Sequence, residues 1–267
     1  MTGHLDIVCG LNAKGQSQLC HQSFRAPMHI SKPHLEEDTL RVNVVNPTAG
    51  LFEGDEIACK VHVEPGARLL LTNPSATRAH CMAGTGEARL TQRFSVERDG
   101  WLEVWPELFI PQNGTRYRQK TTVTLAEGSG LLLVETLAPG RVASGEAFQF
   151  QYLDWETDIL YAGERVVREK YNVWPQGMLS LRRQFPTAYY ACIFLFHPAT
   201  TRDHSCWQSL DSLHNEASWV GHSRLHRHGW SIKVLAQDSV VFRKTLYGIR
   251  QVCYEATGGK MPDLRKS

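Results

Sequence analysis

The sequence has no surplus of charge: 29 basic residues stand against 27 acidic ones in 267, a formal balance of +2. A near-neutral chain has no general attraction for polyanions, so neither nucleic acid nor a membrane is implied as partner. The local cluster Arg224, His226, Arg227 and His228 reads as a solvated surface turn. No CxxC spacing occurs, and the seven cysteines are odd in number. A secreted disulfide framework or a thiolate zinc site would show one or the other, so the cysteines read as reduced and mostly buried. The N-terminal stretch has no basic region followed by an apolar run, which predicts no signal peptide. The longest apolar runs, such as Ala191 to Phe196, are too short to span a bilayer. A cytoplasmic protein is the expectation. Neither HExxH nor GxSxG is present, although a Ser/His/Asp arrangement assembled in three dimensions stays open. Gly10 to Ser17 approaches a phosphate-binding loop, but Gln16 stands where the lysine is needed, and the segment reads as a hairpin turn.

What is present is alternation. Apolar residues make up 42% of the chain, enough for a core without disulfides. Ile57, Cys59, Val61 and Val63 occupy every second position, as do Phe148, Phe150 and Tyr152, while Tyr117, Thr121, Val123 and Leu125 fit the same period. Period two places side chains on one face of a strand. Turn signals separate the runs: Pro65-Gly66, Asp99-Gly100, Asn113-Gly114, Glu127-Gly128, Pro139-Gly140 and Ala162-Gly163. Short strands at this spacing predict a sandwich, a barrel or a β-solenoid. The continuous apolar run Leu131 to Val134 suits a strand covered on both faces. The last third changes character. A helix is expected over 203–218, with Leu210 and Leu213 on one face, and a firmer one over 238–256. In the latter Asp238 is the N-cap and Phe242, Leu246, Ile249 and Cys253 form the apolar stripe. Gly258, Gly259 and Pro262 end it, and residues 259–267 read as a mobile tail. With no linker, low-complexity stretch or clear repeat, residues 1–267 read as a single, mostly β domain.

Candidate chemistry is sparse. Of 12 histidines the densest group is His214, His222, His226 and His228. Imidazole suits borderline divalent metals, and a helix would bring His222 and His226 together at i, i+4, so these two are weak metal candidates. Carboxylates gather at Glu53, Asp55, Glu56, Glu103, Glu107, Glu135 and Glu146. A pair of them would suit acid/base chemistry on a sugar, or a path for a cation; spacing does not choose.

Four ordered segments do choose. They are Asn46 to Glu56 (NPTAGLFEGDE), Leu71 to Cys81 (LTNPSATRAHC), Trp105 to Tyr117 (WPELFIPQNGTRY) and Pro139 to Phe148 (PGRVASGEAF). Together they resemble the UreD family of urease accessory proteins, called UreH in some bacteria; the GD pair and the GRxxxGE run are the most specific parts. The closing strand and helix, Trp230 to Arg250, fit too, so the resemblance covers nearly the whole chain. Four positions depart from the family pattern: Glu53 in place of a glycine, His80 and Cys81 where an aromatic and an arginine are common, and Pro111 where an aromatic is common.

The resemblance implies stacked β-sheets with a β-helix-like winding and about two helices in the last third. It implies no catalysis and no tightly bound cofactor, with nickel in transit. Its implied partners are a UreF-like protein, a UreG-like GTPase and the apo-urease subunits, with the C-terminal third as the place where UreF docks. Asp55 and Glu146, each beside a glycine, are the first candidates for passage or orienting residues; Thr72, Arg78, Glu107 and Tyr117 follow. Arg116 and Arg141 are expected to hold carboxylates by bidentate pairing. Trp101, Trp105, Phe109, Trp155, Trp174 and Trp219 are the aromatic candidates for partner contact. The alternatives are nickel storage or sensing by the His214–His228 group and a β-solenoid enzyme acting on carbohydrate.

Overall fold

The computed structural model describes residues 1–201, 205–227 and 229–264. It is mostly β, with 50% strand and 16% helix. One sheet of seven strands runs in the order Glu164–Val173, Tyr152–Tyr161, Arg116–Leu125, Ala88–Val96, Glu56–Val63, Thr2–Leu11 and Ser17–Arg25. The second sheet runs from Ser218–Leu225 through Gly229–Ala236, Tyr189–Phe196, Gly130–Leu137, Trp101–Trp105 and Arg68–Thr72 to Thr39–Val45, with short strands at its margins.

From Thr39 to Tyr161 the main strands alternate between the sheets, and neighbours within each sheet are parallel; the short strands Thr77–Ala79 and Phe109–Pro111 add to the second sheet from within the corners. This is the solenoid-like winding. Its corners are of two kinds. The passages from first to second sheet are tight. In each, a backbone N–H donates to the carbonyl three residues back: Ala67 to Glu64 at 3.1 Å, Gly100 to Glu97 at 3.0 Å and Ser129 to Ala126 at 3.2 Å. Their third positions, Gly66, Asp99 and Gly128, have positive φ, as such turns require. The returns are long: residues 46–55, 73–87, 106–115 and 138–151. Antiparallel hairpins close both margins of the first sheet. The stretch resembling a phosphate-binding loop is the turn of one of them, where the Asn12 Oδ1 accepts from Lys14 N and Gln16 N. Phe148 and Phe150, read as strand, are buried within the last long corner, and the strand begins at Tyr152; Phe148 at φ 55° breaks the extended backbone.

The second sheet is covered on both sides, as the run Leu131 to Val134 predicts. Leu131 and Leu133 join the core between the sheets, while Leu132 and Val134 pack with Phe242, Leu246 and Ile249 of the helix Ser239–Thr257. Asp238 caps that helix, accepting from Val240 N and Val241 N at 2.8 and 2.9 Å, and Gly258 ends it at φ 67°. The helix expected over 203–218 is instead a short turn, Ser205–Trp207, and one turn of α-helix, Gln208–Asp211; the first two residues of the expected span, Asp203 and His204, lie outside the described residues. Few apolar residues anchor it, and Asn215 competes by accepting from Ala217 N and Ser218 N. A third helix, Leu179–Gln184, lies in the connection between the sheets. Residues 259–264, expected as part of a mobile tail, are tied down: Arg250 donates to Pro262 O at 2.8 Å, Arg41 to Asp263 O at 2.9 Å, and Asp263 N to Glu36 Oε1 at 2.8 Å. Residues 265–267 lie outside the described range. Among the described residues no helix is long and apolar enough to cross a membrane.

Candidate functional site

The four long corners stack at one end of the winding, and they contain the four segments singled out in the sequence. Backbone hydrogen bonds sew them together. Leu51 N donates to Arg78 O at 2.7 Å and Thr77 N to Leu108 O at 2.9 Å; Ala138 N reaches Phe109 O at 2.8 Å and Gly114 N reaches Gln149 O at 3.0 Å. Two glycines make the close approaches possible. At Gly50, φ +148°, a Cβ would lie 2.3 Å from Arg78 O; at Gly140, φ +142°, it would lie 2.5 Å from Glu146 O. No other residue fits either place.

Charged side chains brace the corners. Asp55 is buried and accepts from the Met1 ammonium at 2.5 Å and from Phe52 N at 2.8 Å. Glu146 is forked by Arg141, with Nε at 2.9 Å, and accepts from Asn113 N at 3.3 Å, which ties the third corner to the fourth. The Arg141 hydrogen bond, chiefly, holds the Glu146 carboxyl below its usual range. Arg116 does not hold either of these acids. Its guanidinium donates to Gly86 O at 2.6 Å, to Gly84 O and to Gln151 Oε1, and Glu53 lies 3.7 Å from it. Glu53 in turn accepts from Gly84 N and Gly86 N, which keeps its carboxyl well ionised. Glu53, a departure from the family pattern, thus helps to clamp the second corner.

Glu87, just before the strand Ala88–Val96, carries the most strongly shifted exterior carboxyl. Burial alone would raise it, but hydrogen bonds from Tyr152, Arg89 and Arg118 outweigh that and hold it at about 2. A folded value below the usual 4.5 stabilises the fold fully above pH 4.5, and this contribution is lost as pH falls toward 2. Glu87→Gln is therefore expected to flatten the fall in thermal midpoint across that window relative to the parent; identical acid profiles would refute the assignment.

Between the sheets, at the long-corner end, lies a cavity of about 350 Å³. Thr72, Arg78, Glu107 and Tyr117 line it; Asp55 and Glu146 do not. Arg78 and Glu107 stand toward its mouth, with Glu107 3.5 Å from Arg243 of the C-terminal helix. Thr72 donates to Trp105 O at 2.7 Å. Deeper in, two rungs of the first sheet face the second. One is Ile57, Leu90, Gln119 and Trp155; the next is Cys59, Gln92, Thr121 and Thr157. Opposite them stands Glu135, only 4% exposed. Its Oε1 accepts from Thr157 Oγ1 at 2.7 Å, Trp155 Nε1 at 2.9 Å and Gln119 Nε2 at 3.2 Å. Tyr117 donates to Gln119 Oε1 at 2.8 Å. Burial raises the Glu135 carboxyl above its usual value despite these donors. A polar band thus interrupts an otherwise apolar interior.

Among the described residues the histidines do not form a site. His222 lies on the strand Ser218–Leu225, not on a helix, and pairs with Asp211 at 3.1 Å. His226 is 3.8 Å from Glu164, and His214 is 3.2 Å from Val220 O; His228 lies outside the described residues. Among the described residues no three His, Cys, Asp or Glu are grouped to hold a metal ion. Of the aromatic candidates, Trp101, Trp105, Phe109 and Trp155 are core residues, whereas Trp174 and Trp219 are 48% and 40% exposed.

The fold and site define a solenoid-like scaffold with a braced end and a partly polar chamber inside. The family model for the UreD urease accessory protein matches residues 1–266. A urease accessory protein UreD from Opitutus terrae is 40% identical over 95% of this chain and 94% of its own length. That of Deinococcus radiodurans is 36% identical over 65% and 63% respectively, and that of Staphylococcus aureus 23% over 95% and 93%. The chain belongs to the UreD family of urease accessory proteins.

Proposed function

We propose that this chain is a cytoplasmic, non-catalytic maturation factor. It joins a UreF-like protein and a UreG-like GTPase on the apo-urease subunits, and nickel travels through its interior toward the urease active site. The observation that carries this reading is the chamber at the end where the family's segments converge. A divalent ion moving through a protein needs polar ligands and water around it, because bare burial costs many kcal/mol. Glu107 at the mouth, the Thr72 hydroxyl, the carboxamides of Gln92 and Gln119 in the rungs and the Glu135 carboxylate opposite them offer oxygen donors of that kind, weak enough to release the ion again. Asp55 and Glu146 serve as orienting residues: each is held by a cationic partner and fixes a corner around the mouth. The same pairing leaves neither free for acid/base work on a sugar, and the dispersed histidines give little support to nickel storage.

Deleting the gene in a urease-producing strain tests the role. The expected result is assembled urease subunits that are nickel-poor and inactive. Normal nickel content and activity in the deletion strain would overturn it.

A further inference from the structure

The interior holds two buried glutamates, and they are treated differently. Glu103 has both oxygens engaged: Oε1 by Arg250 Nε at 2.5 Å, Oε2 by the Arg250 terminal nitrogen at 3.0 Å and Tyr254 Oη at 2.6 Å. That is the pattern of a structural ion pair. Glu135 has four donors on Oε1, from Thr157, Trp155, Gln119 and Thr121, and Oε2 is buried without a hydrogen-bond partner among the described residues. No cationic side chain pairs with it there. A buried polar atom left unmatched is costly, more so when charged, so this asymmetry needs a cause.

We propose that Glu135 Oε2 is a holding point for a hydrated divalent cation inside the winding, with Trp155, Thr157 and Gln119 as positioning residues that pin Oε1 and leave Oε2 to the chamber. This rests on the passage reading above and names where the ion pauses. The chamber, about 350 Å³, has room for on the order of ten waters, so the ion keeps most of its hydration shell. The remaining donors nearby are neutral oxygens, those of Gln92, Gln119 and Thr72. Cys59 also lines the chamber, but burial pushes its thiol up to about 12, so it supplies no thiolate. One carboxylate with neutral oxygens binds divalent ions weakly and without the thiolate softness that traps zinc or copper(I). That suits a point of transit and not of storage.

The test uses the full chain with nitrogen-15 in its tryptophans and Mn²⁺ as the paramagnetic probe, with Ni²⁺ as competitor. The Trp155 indole N–H points at the carboxylate in question and is one of seven indoles. Mn²⁺ is expected to broaden its resonance first and Ni²⁺ to reverse the effect. Glu135→Gln should weaken this at least tenfold, whereas Glu164→Gln on the outer surface should retain it. Broadening that is uniform, centred on another indole, or unchanged in Glu135→Gln overturns the site. The parent titration alone locates the ion, so an unstable variant does not leave the matter open. Loss of the site in this experiment, alongside nickel-poor urease in the deletion strain, would overturn the holding point and leave the accessory role standing.

Discussion

Glu103→Ala is expected to destabilise the fold by about 3–5 kcal/mol, because it leaves a buried arginine without its counter-charge. Arg250 is 1% exposed, and Glu103 is fully buried. Besides its two bonds to Glu103, Arg250 donates to Pro262 O at 2.8 Å and lies over the Trp105 ring at 5.4 Å. One guanidinium therefore fastens three parts: the strand Trp101–Trp105, the helix Ser239–Thr257 and the segment after it. Urea denaturation measures the loss. Replacing both partners, Glu103→Leu with Arg250→Met, should recover much of it, since an apolar pair of similar volume has no charge to desolvate. A loss below about 1 kcal/mol in the single variant would show that water already reaches this pair.

The second large effect is on nickel delivery. Ser75 is exposed in the second long corner and lines the mouth of the chamber. Its contact with Asn73 is through the backbone carbonyl, so a larger side chain there need not disturb the corner. Ser75→Trp is expected to obstruct the mouth. Urease purified from cells carrying this variant should contain at least tenfold less nickel, although the variant still co-purifies with urease. Unchanged nickel content would mean that the ion does not enter by this mouth.

The architecture was largely legible from alternation and turn chemistry. Tight corners at Pro65-Gly66, Asp99-Gly100 and Glu127-Gly128 followed from local residues, because few backbone conformations close such a turn. The winding was not, since period two fixes which face a side chain takes but not which sheet receives the next strand; the family resemblance supplied it. Thr72, Arg78, Glu107 and Tyr117 line the chamber, and the sequence singled them out because they sit in segments that resemble the family. Gln119, Gln92 and Thr157 were missed. Their signal was present: polar residues at inward positions of alternating strands, facing a lone acid within the apolar run Gly130–Leu137. Only the register between strands brings them opposite one another. The histidine pair failed for the converse reason, because i, i+4 proximity belongs to a helix and the backbone there is a strand.

Anomalous diffraction at the nickel edge, from crystals of this chain soaked in nickel, tests most directly whether the interior carries the ion. The expected result is a peak inside the chamber between Glu107 and Glu135. Peaks confined to His222 and His226 on the surface, with the chamber empty, would contradict it.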